Sequence, residues 1–90
     1  MKNKLGKIEN LKEYHKNGKL AYEFKVKSDG YSWEKTFDDR GNQTSYQDSR
    51  DNSWSATFDD QGNQTSYKNS YGEHWKRIYN EDGSYEQIKF

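Results

Sequence analysis

The chain has 90 residues, and its 15 basic and 15 acidic side chains leave no formal net charge. This balance gives no overall attraction to nucleic acid or to an anionic membrane, and the absence of cysteine excludes a disulfide framework and a thiolate metal site. Only 28% of the residues are hydrophobic but 17% are aromatic, so we expect one small domain whose core consists of Phe, Tyr and Trp rings.

Seven polar turn clusters divide the chain into eight short segments. Six clusters contain a glycine, at positions 18, 30, 41, 62, 72 and 83, and in the seventh, 49–52, Asp51 takes the glycine position. Asp or Asn at the first turn position and Gly at the fourth is typical of a type I turn followed by a left-handed residue, which closes β-hairpins. We predict strands at 7–14, 19–27, 31–37, 43–48, 53–58, 64–69, 74–79 and 84–90. For the first segment, a short helical turn is the alternative.

Apolar and polar residues alternate within these segments. Leu20, Tyr22, Phe24 and Val26 occupy every second position of theirs, which is the period of a strand and not of a helix. Proline, which would interrupt a strand ladder, is absent. We therefore predict an all-β fold, an antiparallel meander of about eight short strands that forms a single twisted sheet or a small solenoid.

Part of the sequence recurs in almost three copies. Residues 36–46 read TFDDRGNQTSY and residues 57–67 read TFDDQGNQTSY, while Trp33, Trp54 and Trp75 recur at equal spacing. A period of this length, ~21 residues, indicates a repeat architecture, here of hairpins, which presents surfaces and rarely assembles one catalytic pocket. We predict a single β-repeat domain over 1–90, with a divergent N-terminal hairpin region at 1–32 and repeats at 33–53, 54–74 and 75–90.

The register of the predicted hairpins decides which aromatic rings share a face. If the loop 38–41 leaves four residues unpaired, Trp33 lies opposite Tyr46 and both rings share one face, whereas a three-residue loop would turn Tyr46 to the other face. We favour the four-residue loop, because it gathers the repeat aromatics on one face and leaves Thr, Ser, Gln and Glu on the other. The hairpin at 20–27 is expected to differ, since its apolar positions are shifted relative to Trp33.

The turn motifs resemble those of two repeat families. FDDRGN at 37–42 and FDDQGN at 58–63 are similar to the Tyr-Asp-x-x-Gly-Asn core of YD (Rhs-type) repeats, with Phe in place of Tyr. YHKNGKL at 14–20 resembles the Tyr-x-x-Asn-Gly-Lys-Leu unit of MORN-like repeats, which include antitoxins. The resemblance covers most of residues 11–90 and implies a β-hairpin array with an interaction role. Short arrays of this kind are also similar to small proteins of phages and mobile elements.

Carboxylates and histidines are the first candidates for chemistry. Asp38, Asp39, Asp59 and Asp60 form two pairs, but they lack the alternating ligands and the closing Glu of an EF-type calcium loop. We assign the first Asp of each pair to the turn and the second to solvation, and we expect no metal site. The two histidines, at 15 and 74, are expected at the surface without a nucleophile or an orienting partner, so no catalytic residues are predicted.

Aromatic rings and acidic turns are the candidate binding residues. We name Trp33, Tyr46, Trp54, Tyr67 and Trp75, together with the four aspartates of the two pairs. The rings either form the core alone or also present an open face, because a contiguous exposed aromatic patch usually marks an interface. Self-association into a homodimer through that face is the simplest outcome.

The favoured function is a cytoplasmic, non-enzymatic protein-binding module without a cofactor. Residues 28–73 hold nine acidic and four basic side chains, which suits a partner with a basic surface. Such a module would occlude its partner, as an antitoxin-like or anti-CRISPR-like phage antagonist does. A glycan- or cell-wall-binding repeat similar to the choline-binding type, and a structural fragment of a longer Rhs-like protein, are the alternatives. We expect no direct nucleic-acid binding and no membrane association, since neither a signal peptide nor an apolar span is visible.

Overall fold

The computed structural model describes residues 10–90, which form eight β-strands and no helix. Four of the predicted strands have the predicted bounds, and three others differ from the prediction by one residue at one or both ends. The first segment is a strand over its described part, so the helical alternative is wrong there, while residues 7–9 lie outside the described residues. The strands are β1 Asn10–Tyr14, β2 Leu20–Val26, β3 Ser32–Phe37, β4 Gln43–Asp48, β5 Ser53–Phe58, β6 Gln64–Asn69, β7 His74–Tyr79 and β8 Tyr85–Lys89.

All eight strands belong to one open antiparallel sheet. Their spatial order is their order in the chain, and every contact between elements joins consecutive strands. The outline is 54 × 33 × 18 Å with a radius of gyration of 16.3 Å, against about 12 Å for a compact domain of this length. The all-β meander is therefore confirmed, in the form of a single-layer sheet.

The predicted turn geometry is present at all seven connections. The six predicted glycines have φ between 86° and 95°, and Asp51 has φ 67°. In the turn after β3, Gly41 N–H donates to the Asp38 carbonyl at 3.1 Å and Asp38 N–H donates to the Asn42 carbonyl at 2.9 Å. This is a type I turn followed by a left-handed residue, which is why a residue without Cβ suits the fourth position.

The predicted pairing of Trp33 with Tyr46 is wrong by two residues. Trp33 lies opposite Asp48, and Tyr46 lies opposite Lys35. The cause is a β-bulge near the turn, where the paired positions jump past Thr44. With the left-handed turn residue, the bulge shifts the pairing by two positions, and a shift of two returns each side chain to the expected face.

The faces of the sheet therefore divide as expected. We call the tryptophan face the side that carries Trp33, Tyr46, Trp54, Tyr67 and Trp75, which the pairings place together. Apolar residues of β2 point to the opposite face, because Lys25 and not Phe24 lies opposite Trp33. Ser, Thr and Gln side chains fill the middle of that opposite face.

A single layer leaves little of the molecule fully enclosed. Among residues 10–90, the buried side chains are Ala56, 5% exposed, and Asp48, 9% exposed. The aromatic rings of the tryptophan face are half-buried and cover the sheet from one side only. Side-chain packing between neighbouring strands therefore has to supply most of the stability.

Candidate binding face and turn edge

Three aromatic rings form a stacked row on the tryptophan face. Tyr67 lies directly opposite Trp75 and diagonally from Trp54. The ring centroids of Trp54 and Tyr67 are 6.1 Å apart, and those of Tyr67 and Trp75 are 5.9 Å apart, with interplanar angles of 28° and 25°. Tyr67 is thus flanked by a tryptophan on each side, and the edges of the row remain accessible.

The three tryptophans differ in what covers them. The Lys35 ammonium lies 4.4 Å from the Trp33 ring centroid, and the Arg77 guanidinium lies 4.3 Å from that of Trp75. Ala56 holds the corresponding place two residues after Trp54, and no described cation lies over the Trp54 ring. Trp54, with Tyr46 directly opposite, is therefore the one of the three tryptophans whose ring carries no described cation.

A buried carboxylate next to this row was not foreseen from the sequence. Asp48 Oδ2 accepts hydrogen bonds from the hydroxyls of Tyr31 at 2.9 Å and Tyr46 at 3.1 Å, and from the Asn52 side-chain amide at 3.1 Å. Its other oxygen accepts from the backbone N–H of Arg50 at 2.9 Å and of Asn52 at 3.0 Å. The two hydroxyls lie 2.8 Å apart.

This network shifts two pKa values in opposite directions. Burial by itself would raise the pKa of Asp48, but the hydrogen bonds from Asn52, Arg50 and Tyr31 outweigh it and hold that pKa well below its usual range. The bond to Tyr31, burial and the bond to Asp48 raise the pKa of Tyr46. Asp48 is therefore charged and Tyr46 neutral at physiological pH. Their hydrogen bonds to Tyr31, just before β3, hold β4 in its register against β3.

In each candidate pair, the first aspartate has a structural role in its turn. Asp59 Oδ1 accepts from the backbone N–H of Gln61 and of Asn63, both at 2.9 Å, and Asp38 makes the equivalent bonds in its own turn. The backbone bond from Asn63 is the main reason that the pKa of Asp59 is lowered. The carboxylates of Asp38 and Asp59 are thus committed to turn structure.

The second aspartates, Asp39 and Asp60, are exposed. Arg40 reaches Asp60 across the gap between the two turns: its guanidinium donates to the Asp60 carbonyl and lies 3.5 Å from the Asp60 carboxylate. All four aspartates lie in turns at the same end of the strands, and we call this turn-bearing side of the sheet the acidic edge. The tryptophans lie near the start of their strands, roughly 15 Å away along the strand, so the predicted residues form two separate sites.

The histidines take different positions. His74 is exposed, as predicted, and its ring packs 4.4 Å from that of Phe90. His15 is half-buried, and its Nε2 bonds the Phe37 carbonyl at 2.8 Å, which corrects the expected surface position. Within residues 10–90, no group of three His, Asp or Glu side chains is placed to hold a metal ion. That same stretch contains no helix long and apolar enough to cross a membrane.

No protein-family model matches the chain, and no curated protein matches it significantly. The likeness to YD and MORN repeats therefore remains a resemblance between short motifs.

Proposed function

We propose that the chain is a non-enzymatic protein-binding module and that its tryptophan face is the contact surface. The observation that carries this proposal is the half-buried aromatic row on the open side of a single-layer sheet. An aromatic row that keeps part of its surface accessible can become fully desolvated when a partner covers it, as aromatic anchors do at protein interfaces. The sheet measures 54 × 33 Å in outline. One face therefore has room for the ~800 Å² that a standard interface buries on each partner.

Ring geometry favours a protein over a glycan or a single-stranded nucleic acid. Stacking on a sugar or a base requires a free ring face, whereas Tyr67 is flanked on both sides and Trp33 lies against Lys35. Protein interfaces instead use Trp and Tyr side chains as partly packed anchors that become fully desolvated on binding. Trp54 and Tyr46 have the position of such anchors.

Binding through a broad face would block the covered surface of the partner. The proposed mode of action is therefore occlusion, as in the antitoxin-like and phage-type antagonists whose short repeats the turn motifs resemble. The acidic edge would add electrostatic attraction to a basic partner, which speeds association more than it raises affinity.

A pull-down from host lysate followed by reconstitution with the purified partner tests the proposal. Trp54→Ala should weaken binding by more than about tenfold, because anchors of this kind contribute about 2 kcal/mol or more. Lys68→Ala, on the opposite face, is the matched control and should bind like the wild type. Equal binding of both variants, with both folded by circular dichroism, would contradict the assignment of this face. If the pull-down recovers the chain alone and analytical ultracentrifugation shows a dimer, the partner of the tryptophan face is a second copy of this chain.

A further inference from the structure

Successive turns at the acidic edge are joined by a side chain that donates to a backbone carbonyl. Asn17 Nδ2 donates to the Asp39 carbonyl at 2.7 Å across the first gap. In the second gap, the Arg40 guanidinium donates to the Asp60 carbonyl. Asp39 and Asp60 hold the same position in the two copies of the turn motif, so the same carbonyl of each turn receives the donor.

The third gap lies between the next two turns at this edge but lacks the donor. Gln61 stands one sequence repeat after Arg40, and Glu81 stands one sequence repeat after Asp60. Across residues 10–90, no side chain donates to the Glu81 carbonyl, and the gap is an open groove of about 780 Å³ between the turns at 59–62 and 80–83. Tyr79 lines this groove where Phe58 stands in the preceding repeat.

The groove is negatively charged. The residues that line it include Asp59, Asp60 and Glu81 and no Lys or Arg. Asp59 is occupied by its own turn, and Asp60 faces Arg40 from the neighbouring gap. Glu81 therefore offers a carbonyl and a carboxylate, the same two acceptors that Asp60 presents to Arg40. A guanidinium satisfies such a pair well, since it is planar, charged and rich in donors.

We propose that this groove, between the β5–β6 and β7–β8 turns, binds an arginine side chain of the partner protein. The inference rests on the proposed binding function and names the chemistry of one contact. Arg40 in the second gap shows the ligand chemistry within the same chain, and the partner supplies in the third gap what Gln61 does not.

The direct test is a titration of the ¹⁵N-labelled full chain with Nα-acetyl-arginine methylamide at low ionic strength, followed by NMR. The largest amide shifts are expected at Gln61, Glu81 and Gly83. The corresponding citrulline compound has the same shape without the charge and should leave these amides unchanged. Glu81→Gln should weaken arginine binding about tenfold, because hydrogen bonds to charged groups are the strong ones. Shifts spread evenly over all turns, or equal shifts with citrulline, would overturn the proposal.

Two reciprocal variants sharpen the test. Gln61→Arg recreates the internal donor, so it should fill the groove and abolish the shifts at Glu81. Arg40→Gln empties the second gap, so arginine should then also shift the amides of Asp39 and Asp60. Undiminished binding to Gln61→Arg, or no second set of shifts with Arg40→Gln, would count against the site.

The same variants separate this inference from the proposed function. If the purified partner binds wild type and Gln61→Arg equally but loses Trp54→Ala, the binding function stands and the groove assignment fails. If the arginine compound binds the groove while no partner depends on Trp54, the groove stands and the tryptophan face fails.

Discussion

Tyr46 and Tyr67 end the two near-identical sequence stretches 36–46 and 57–67, yet removing the hydroxyl of one or of the other should have unequal effects on stability. The Tyr46 hydroxyl lies 2.8 Å from that of Tyr31 and donates to the charged Asp48 at 3.1 Å. The Tyr67 hydroxyl accepts one bond, from the Asn69 amide at 3.3 Å. Tyr46→Phe and Tyr67→Phe preserve both rings, so their difference isolates the hydrogen-bond network.

The expected magnitudes follow from the acceptors. Tyr46→Phe removes a bond to a buried carboxylate, of a kind that contributes about 1.5–3 kcal/mol. Asp48 keeps its bonds to Tyr31, Arg50 and Asn52, so we expect a loss of about 2 kcal/mol. Tyr67→Phe removes one long bond between neutral groups that water can replace, and about 0.5 kcal/mol or less is expected.

Urea unfolding, followed by tryptophan fluorescence and by far-UV circular dichroism, measures both free energies of unfolding. An unchanged m-value would show that the difference lies in the folded state. Thermal scans should place Tyr46→Phe lower by about 10 °C, given the usual relation between stability and Tm in domains of this size. Equal losses in the two variants would refute the reasoning, because the network would then contribute nothing beyond ring packing.

The lowered pKa of Asp48 and the raised pKa of Tyr46 predict stability that is flat between about pH 5 and 9. The ionised Asp48 stabilises the fold above its unfolded pKa of about 4, and this stabilisation is lost as pH falls; the neutral Tyr46 stabilises it below about pH 10, and this stabilisation is lost as pH rises. If Asp48→Asn lost stability on acidification as steeply as the wild type, this prediction would be contradicted. Asp51→Gly should stabilise the chain by about 0.5 kcal/mol and Gly62→Ala should destabilise it by about 1–2 kcal/mol in urea unfolding, because both residues have positive φ and only glycine adopts it without strain. A destabilised Asp51→Gly variant, or a Gly62→Ala variant as stable as the wild type, would show that backbone conformation does not limit the turns. Tyr67→Ala should cost about 3 kcal/mol, since it removes two stacked tryptophan contacts as well as buried ring area, and a loss no larger than that of Tyr67→Phe would mean that the row does not support the sheet.

Strand bounds and turns were accessible from the sequence because each depends on local chemistry. A glycine, or Asp51, stands at every position with positive φ in the seven turns, and polar clusters bracket each strand. The bounds of β4, β5, β6 and β7 coincide with the prediction for that reason.

Pairing across strands was less accessible. The left-handed turn residue and the bulge at Thr44 together shift the pairing of Tyr46 by two positions, which returns its side chain to the same face, so the alternation of side chains gives no sign of the shift. The network around Asp48 depends on that shift, because it joins residues 15 and 17 positions apart along the chain. Its one trace in the sequence is that Asp48 stands where the next repeat has Asn69.

The candidate site was predicted in its parts and not in its arrangement. The aromatic row at Trp54, Tyr67 and Trp75 follows from period-two alternation. The separation of that row from the acidic edge follows from strand direction: each tryptophan begins a strand whose far end leads into the acidic turn. The contact of Arg40 with Asp60 required the side-by-side placement of two turns, which only the assembled sheet supplies.

Strands that touch only their neighbours in the chain also set how the molecule reaches its fold. Every element contact joins consecutive strands, so each pairing closes a short loop and contact order is low for a β protein. Chain entropy opposes such closures only weakly, and proteins with local contacts fold faster than β-sandwiches. Hairpins can thus form one after another and zip together from any starting point, in the manner of a one-dimensional array.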